Sequence, residues 1–77
     1  METLSERLAE MRRRRLMTQQ DLALAAGVSA ATVTRLETIG DTNPRVVTVK
    51  RLAMALDIDP AWLLWGGEAT LMGKIAA

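Results

Sequence analysis

Side chains that could carry out covalent chemistry are scarce in this 77-residue sequence. It has no histidine, cysteine or tyrosine, and Ser5 and Ser29 are its only serines. A nucleophile would therefore have no imidazole or thiol beside it to act as base or partner. Lys50 and Lys74 lie in no phosphate-binding glycine loop. Without cysteine the chain cannot form disulfides, and without cysteine and histidine it lacks the usual zinc ligands. We predict no enzyme, no metal site and no cofactor.

Positive charge is concentrated in the first part of the chain. Residues 1–56 contain nine Lys or Arg against six Asp or Glu, whereas residues 57–77 contain one against three. Four basic residues, Arg12 to Arg15, are consecutive and span more than one helical turn, so they cannot all face the same way. One or two could reach a phosphate while another packs inward. The net charge of the whole chain, +1, is only weak evidence for an anionic partner. The excess of positive charge in residues 1–56 is stronger evidence that this part binds one.

Residues 19–38 predict two short helices joined by a tight turn. Thr18 can cap the first helix and Ser29 the second. Gly27 stands where the chain must reverse, and glycine tolerates the positive φ that such a turn requires. The apolar residues at helical spacing that would pack both helices on the core are Leu22, Ala23, Ala26, Val28, Val33 and Leu36. This arrangement is a helix-turn-helix, whose second helix can lie in the major groove of DNA.

One further helix is predicted before this unit and another directly after it. Thr3 and Glu6 have capping-box spacing and precede a helix of about a dozen residues. Pro44 disfavours helical geometry at the residue before it, so a fourth helix should begin near Arg45 or Val46. Its predicted buried stripe consists of Val46, Val49, Leu52, Ala53 and Leu56.

Asp59 and Pro60 combine a capping residue with proline at the first helical position, which predicts a fifth helix from Pro60 to Trp65. No stretch alternates like a β-strand, so the fold class is all-α. We expect residues 1–67 to form one domain and residues 68–77 a short tail. Trp65, Leu64 and Leu71 could form an exposed apolar patch through which the protein dimerises.

With these helices laid out, the sequence resembles the Cro/C1-type, xenobiotic-response-element-like helix-turn-helix family of phage and bacterial repressors. The likeness covers about residues 4–66. The matching segments are TQQDLA (18–23), GVS (27–29), TV (32–33), RLE (35–37), NP (43–44), TV (48–49), LAMAL (52–56) and DPAWLL (59–64). The resemblance implies a compact five-helix, lambda-repressor-like domain that binds double-stranded DNA through helices 2 and 3.

The resemblance also implies which residues contact DNA. Gln19 matches a position that contacts a phosphate and can brace the first recognition residue. Both its amide and the helix N-terminus suit an anion. Ser29 matches a cap that contacts the DNA backbone, although capping alone is an equal alternative. Base contacts in the family come from the positions of Ala30, Ala31 and Arg35. The remaining candidates are Thr32, Thr34, Thr38 and Arg45.

Arg35 is the side chain that we expect to read a base, because bidentate arginine to guanine O6 and N7 is the commonest specific contact. A phosphate is its alternative partner. Ala30 and Ala31 cannot hydrogen-bond a base edge, but they can touch a thymine methyl, so we expect reliance on DNA shape. Arg45 is a candidate for a phosphate or the minor groove. Finally, Arg12 and Glu37 match a family ion pair between helices 1 and 3; its role is structural.

Two functions follow from these features. The first is a transcriptional regulator, a repressor that binds a two-fold operator as a homodimer. The second is an antitoxin that binds a toxin and represses its own operon, with the apolar tail contacting the other protein. The N-terminus lacks an apolar leader segment and the longest uncharged run is too short to span a bilayer, so a cytoplasmic location is expected.

Overall fold

The computed structural model describes residues 3–38 and 44–66. They form five α-helices, which are Leu4–Arg14 (α1), Gln19–Ala26 (α2), Ala30–Thr38 (α3), Val46–Leu56 (α4) and Pro60–Trp65 (α5). These two stretches contain no strand, and none of their helices combines the length and apolar character needed to cross a bilayer. The all-α prediction is confirmed. The predicted domain boundary at 67 and the tail residue Leu71 lie outside the described residues.

Helix starts follow the capping signals of the sequence. Thr3 accepts a hydrogen bond from the Glu6 backbone N–H at 3.1 Å, and the Glu6 carboxylate accepts from Thr3 in return. Thr18 and Asp21 form the same reciprocal pair at the start of α2. The hydrogen bond from the Thr18 backbone N–H lowers the pKa of Asp21, because it stabilises the charged carboxylate. Asp59 accepts from the Ala61 N–H at 2.8 Å and so caps α5.

Three helices end in the same way, with one residue in the left-handed region and an apolar residue after it. The left-handed residues are Leu16, Gly27 and Asp57, and the apolar residues after them are Met17, Val28 and Ile58. In each case the apolar residue's N–H bonds to a carbonyl five residues back, and its side chain packs against the core. The sequence predicted this conformation at the glycine but not at the leucine or the aspartate.

The core is built from apolar residues of all five helices, with α1 packed on α3 and α5, α2 packed on α3 and α4, and α4 packed on α5. Its buried members are Leu8, Leu22, Ala23, Ala26, Val33, Leu36, Val49, Leu52, Ala53, Leu56 and Leu63. The predicted α4 stripe is wrong at one position, since Val46 is 63% exposed. Val46 is the first residue of α4, and the six-residue α5 does not cover that turn.

Arg7 is buried, which the sequence did not predict. Its guanidinium donates to the backbone carbonyls of Leu63 at 2.9 Å and Leu64 at 3.0 Å, and lies 5.9 Å from the centre of the Trp62 ring. Carbonyls in the last turn of a helix have no partner within the helix, so Arg7 caps α5 from α1. Burial lowers the pKa of Arg7, because the charged form is desolvated.

Replacement of Leu16 by glycine should stabilise the protein. Leu16 has φ of 57° and is 92% exposed, so its side chain adds strain and little packing. Leu16→Gly should raise the free energy of unfolding by about 0.5–1 kcal/mol, as relief of left-handed strain exceeds the added chain entropy. Urea denaturation measures the change. The control Leu24→Gly, at an exposed position inside α2, should lower it by about 1 kcal/mol. A Leu16→Gly protein less stable than wild type would contradict the expectation.

Loss of Arg7 should be costly although the residue is charged. Arg7→Ala leaves the Leu63 and Leu64 carbonyls without these donors, and should lower the free energy of unfolding by at least about 2 kcal/mol. Thermal or urea denaturation measures it against Arg13→Ala, an exposed arginine of the same helix, which should stay within about 0.5 kcal/mol of wild type. Equal effects of the two substitutions would show that Arg7 does not anchor α5.

Candidate nucleic-acid interface

One face of α3 is buried and the other faces solvent, because its large apolar residues lie on one side of the helix. Val33 and Leu36 are fully or almost fully buried, and they fix one side of the helix to the core. The opposite side is solvent-exposed and consists of Ala30, Ala31, Thr34, Arg35 and Thr38. Because residues three and four apart share a face of a helix, this exposed set forms a continuous strip. The major groove of DNA is wide enough to admit an α-helix, so a strip of this kind can lie against base edges there.

The turn between α2 and α3 sets the angle between these two helices. Gly27 has φ of 71° and ψ of 33°, the left-handed conformation predicted for it. Ala23 is 3% exposed, and as a small residue it allows α2 and α3 to approach closely. The Ser29 hydroxyl accepts from the Thr32 backbone N–H at 3.1 Å and lies 2.8 Å from the Thr32 hydroxyl. Ser29 therefore caps α3, as predicted.

An ion pair holds the last turn of α3 against α1. Arg12 donates from Nε to one carboxylate oxygen of Glu37 at 2.7 Å and from Nη2 to the other at 2.9 Å. Its Nη1 donates to the Met17 carbonyl at 2.8 Å. The hydrogen bond to Glu37 raises the pKa of Arg12, because it stabilises the charged guanidinium. The predicted pair is confirmed, and its side chains are only 13% and 5% exposed.

Two more side chains extend this contact toward solvent. The Gln19 side-chain amide donates to Glu37 Oε1 at 3.0 Å, and its carbonyl accepts from the Thr34 hydroxyl at 2.8 Å. The Ser5 hydroxyl donates to the Leu36 carbonyl in the same turn of α3. We call the connected side chains of Arg12, Glu37, Gln19 and Thr34 the α3 clamp. The clamp and the buried residues together leave α3 little freedom to rotate or slide.

The structure places the predicted site residues in three environments. The exposed strip of α3 holds five of them, with Ser29 exposed at its start. Gln19 and Thr32 are half-buried, and their polar groups bond to other protein groups. Arg45 is exposed at the start of α4, which packs mainly on α2 and α5, so the fold does not join it to the α3 strip. It caps α4 without a side-chain hydrogen bond.

Arg35 is the exposed arginine on the α3 strip. It has no hydrogen-bond or ion-pair partner among residues 3–38 and 44–66. The arginines that end α1 are arranged differently, since Arg12 is in the clamp, Arg14 pairs with Glu10 at 3.0 Å and Arg15 lies 3.9 Å from Asp57. The prediction that one of the four packs inward is confirmed. Arg13 is exposed. The expectation that one or two of the four arginines reach a phosphate stays a prediction.

Sequence reasoning missed the link between Gln19 and Thr34. The resemblance implied that Gln19 can brace the first recognition residue of α3, not Thr34. No local pattern pairs residues that are fifteen positions apart. The available signal was the helix-turn-helix itself, which brings the start of α2 beside the middle of α3.

Comparison with known proteins agrees with this geometry. Residues 8–63 match the helix-turn-helix family. The chain is 38% identical over 65 residues to the HTH-type transcriptional repressor RghR of Bacillus subtilis (strain 168), covering 84% of this chain and 48% of that protein. It is 34% identical over 58 residues to the uncharacterized HTH-type transcriptional regulator RghRB of the same organism, covering 75% and 42%.

This chain thus spans about half the length of the curated relatives it matches. The matched region contains all of α2, α3 and α4, the glycine turn and the Arg12–Glu37 pair. The match covers most of the chain, and it coincides with the helices that carry the exposed strip and the clamp. The chain belongs to the Cro/C1-type helix-turn-helix family of DNA-binding transcription regulators.

Proposed function

We propose that this protein is a sequence-specific regulator of transcription that represses by binding a two-fold operator in double-stranded DNA as a homodimer. The observation that carries the proposal is the exposed α3 strip, with Arg35 unpartnered among the described residues and the rest of the helix held by the core and the clamp. A rigid helix with an exposed arginine suits the major groove. Similarity to a protein described as a transcriptional repressor supports the direction of regulation.

The proposed contacts divide into positioning and base reading. Gln19 donates one amide hydrogen to Glu37, which leaves its second for a phosphate at the start of α2. Ser29 can contact the DNA backbone while it caps α3. Arg35 donates to guanine O6 and N7, and the methyl groups of Ala30 and Ala31 touch thymine methyls or allow close approach. Thr38 lies at the end of the strip and contacts a phosphate there. Arg45 is apart from the strip at the start of α4, and it contacts a phosphate or the minor groove beside the main interface.

Dimerisation is proposed at the α4–α5 face. An open apolar groove of about 320 Å³ lies there, lined mainly by Val46, Val49, Pro60, Leu64 and Trp65. Trp65 is 69% exposed and Val46 63%. A domain of this size buries a small core, so covering such a face with a second copy adds useful stability. The α3 strip is on another side, since α3 packs on α1 and α2, and so both copies keep it free.

We attribute no catalytic activity to the protein. Its family is one of DNA-binding transcription regulators, which act by binding and not by catalysis. A repressor of bacterial type works in the cytoplasm, where the chromosome lies. A toxin or other protein as the occupant of the α4–α5 face is the competing proposal, and the assembly experiment below separates the two.

Arg35→Ala should weaken specific binding much more than general attraction to DNA. Selection of bound duplexes from a random pool first identifies the operator. On that duplex, Arg35→Ala should lower the affinity by about 1–3 kcal/mol and relax the preference for guanine at one position. Arg13→Ala, which removes the same charge from an exposed position of α1 outside the α4–α5 groove, should leave the base preferences unchanged. Titrations at several salt concentrations separate the two effects.

A wild-type protein that selects no sequence would contradict the proposed function. Selection that Arg35→Ala does not alter would contradict the assigned role of Arg35 alone.

Trp65→Ala should dissociate the proposed dimer. A large aromatic residue near the centre of an interface contributes about 2 kcal/mol or more, so the dimer dissociation constant should rise at least about thirtyfold. Sedimentation equilibrium measures it, with Met54→Ala, an apolar α4 residue that is 75% exposed and outside the groove, as the control. A monomeric wild type, or a dimer that Trp65→Ala leaves intact, would contradict dimerisation through this face. A wild type that assembles only with a different protein would favour the antitoxin.

A further inference from the structure

The hydroxyl of Thr34 is exposed on the α3 strip, but its hydrogen is already used. Thr34 Oγ1 donates to the side-chain carbonyl of Gln19 at 2.8 Å. A threonine hydroxyl has one hydrogen and two acceptor lone pairs. Once its hydrogen points at Gln19, the hydroxyl can present only lone pairs to a molecule that approaches the strip.

The direction of this hydrogen bond is fixed by the rest of the clamp. Arg12 can only donate, and the Glu37 carboxylate that it contacts can only accept. Gln19 must therefore turn its NH₂ group toward Glu37 Oε1, 3.0 Å away, because the opposite orientation would bring two acceptor oxygens together. The Gln19 carbonyl then faces Thr34, which has to donate. The donor and acceptor roles in the buried ion pair therefore determine that the exposed Thr34 hydroxyl is a donor to Gln19.

We propose that Thr34 is a specificity-determining residue that reads the bases of the operator as a hydrogen-bond acceptor only. In the major groove, adenine N6 and cytosine N4 carry amino hydrogens, whereas guanine O6 and thymine O4 are acceptors. Thr34 accepts from an amino group and is repelled by a keto oxygen. On the strand that it faces, it selects adenine or cytosine over guanine or thymine. The proposal rests on the DNA-binding function proposed above.

The same polarity excludes the other DNA group that Thr34 could meet. Phosphate oxygens only accept hydrogen bonds, so a hydroxyl whose hydrogen is held by Gln19 has nothing to offer them. Gln19 has the opposite capacity, because one of its amide hydrogens is not used within the clamp. The neighbouring residue, Arg35, can only donate hydrogen bonds, and it therefore suits the acceptors O6 and N7 of guanine. Two neighbouring side chains of opposite polarity therefore read opposite features of the groove, although Ala30 and Ala31 read no polar group.

Selection of duplexes from a random pool, carried out in parallel with wild type, Thr34→Val, Thr34→Ser and Gln19→Ala, tests the proposal. Wild type should show one position per half-site at which adenine or cytosine is preferred to guanine or thymine. Thr34→Val keeps the shape but loses the hydroxyl, so that preference should fall roughly three- to tenfold, the equivalent of one neutral hydrogen bond. Its extra methyl should favour thymine there. Thr34→Ser should retain the wild-type preference.

Gln19→Ala tests the source of the polarity. Without Gln19 the Thr34 hydroxyl can rotate and donate, so the discrimination between amino and keto bases should relax at the same position. Thr34→Val should melt within a few degrees of wild type, which shows that the fold is intact. Other positions of the selected site should be unchanged in the Thr34 variants.

Each contrary result has a separate meaning. If wild type selects no sequence, the DNA-binding function itself is wrong. If wild type selects a site that Thr34→Val leaves unaltered, or if Gln19→Ala keeps the amino preference in full, the function stands and the acceptor role of Thr34 is overturned. If Thr34→Val weakens binding to all sequences alike and leaves the base preferences unchanged, Thr34 contacts phosphate, and the proposal is also overturned.

Discussion

The ion pair between Arg12 and Glu37 is the interaction on which the position of α3 depends. The apolar contacts of Val33 and Leu36 hold one side of the helix, but apolar packing is non-directional. The two parallel hydrogen bonds of the ion pair are directional and fix the helix in register with α1. Burying two charges costs desolvation energy, so the pair is better understood as a device for orientation than as a source of stability. Gln19 then connects this fixed point to the exposed strip.

α1 has a central place in the fold, because it contacts both the helix that would read DNA and the helix that would meet a second copy. Ser5 and Arg12 bond to α3, whereas Arg7 bonds to the last carbonyls of α5. The three residues lie on one eleven-residue helix, so the spacing between the α3 strip and the α4–α5 face is set by one rigid element. Two recognition helices must lie about one turn of DNA apart to read a two-fold operator, and a rigid connection of this kind would help to hold that distance.

Local signals in the sequence were sufficient for the helix starts and for the glycine turn. The caps at Thr3, Thr18 and Asp59 involve residues two or three positions apart, and such contacts need no knowledge of the fold. Arg7 could not be predicted in this way, since the carbonyls that it contacts are 56 and 57 positions away. Helical periodicity identified the face of α4 that carries Val46, but not how far α5 covers that face. The family resemblance predicted which residues form the candidate site. The hydrogen bond that orients the Thr34 hydroxyl could be seen only in the three-dimensional structure.

The central claim is that the clamped outer strip of α3 is the surface that meets DNA. NMR spectroscopy of isotope-labelled protein, titrated with a duplex selected from a random pool, measures this directly. We expect the largest chemical-shift changes at the backbone amides of residues 29–35, at the side-chain amide of Gln19 and at Nε–H of Arg35. Changes confined to α4 and α5, with the resonances of α3 unmoved at saturation, would contradict the claim.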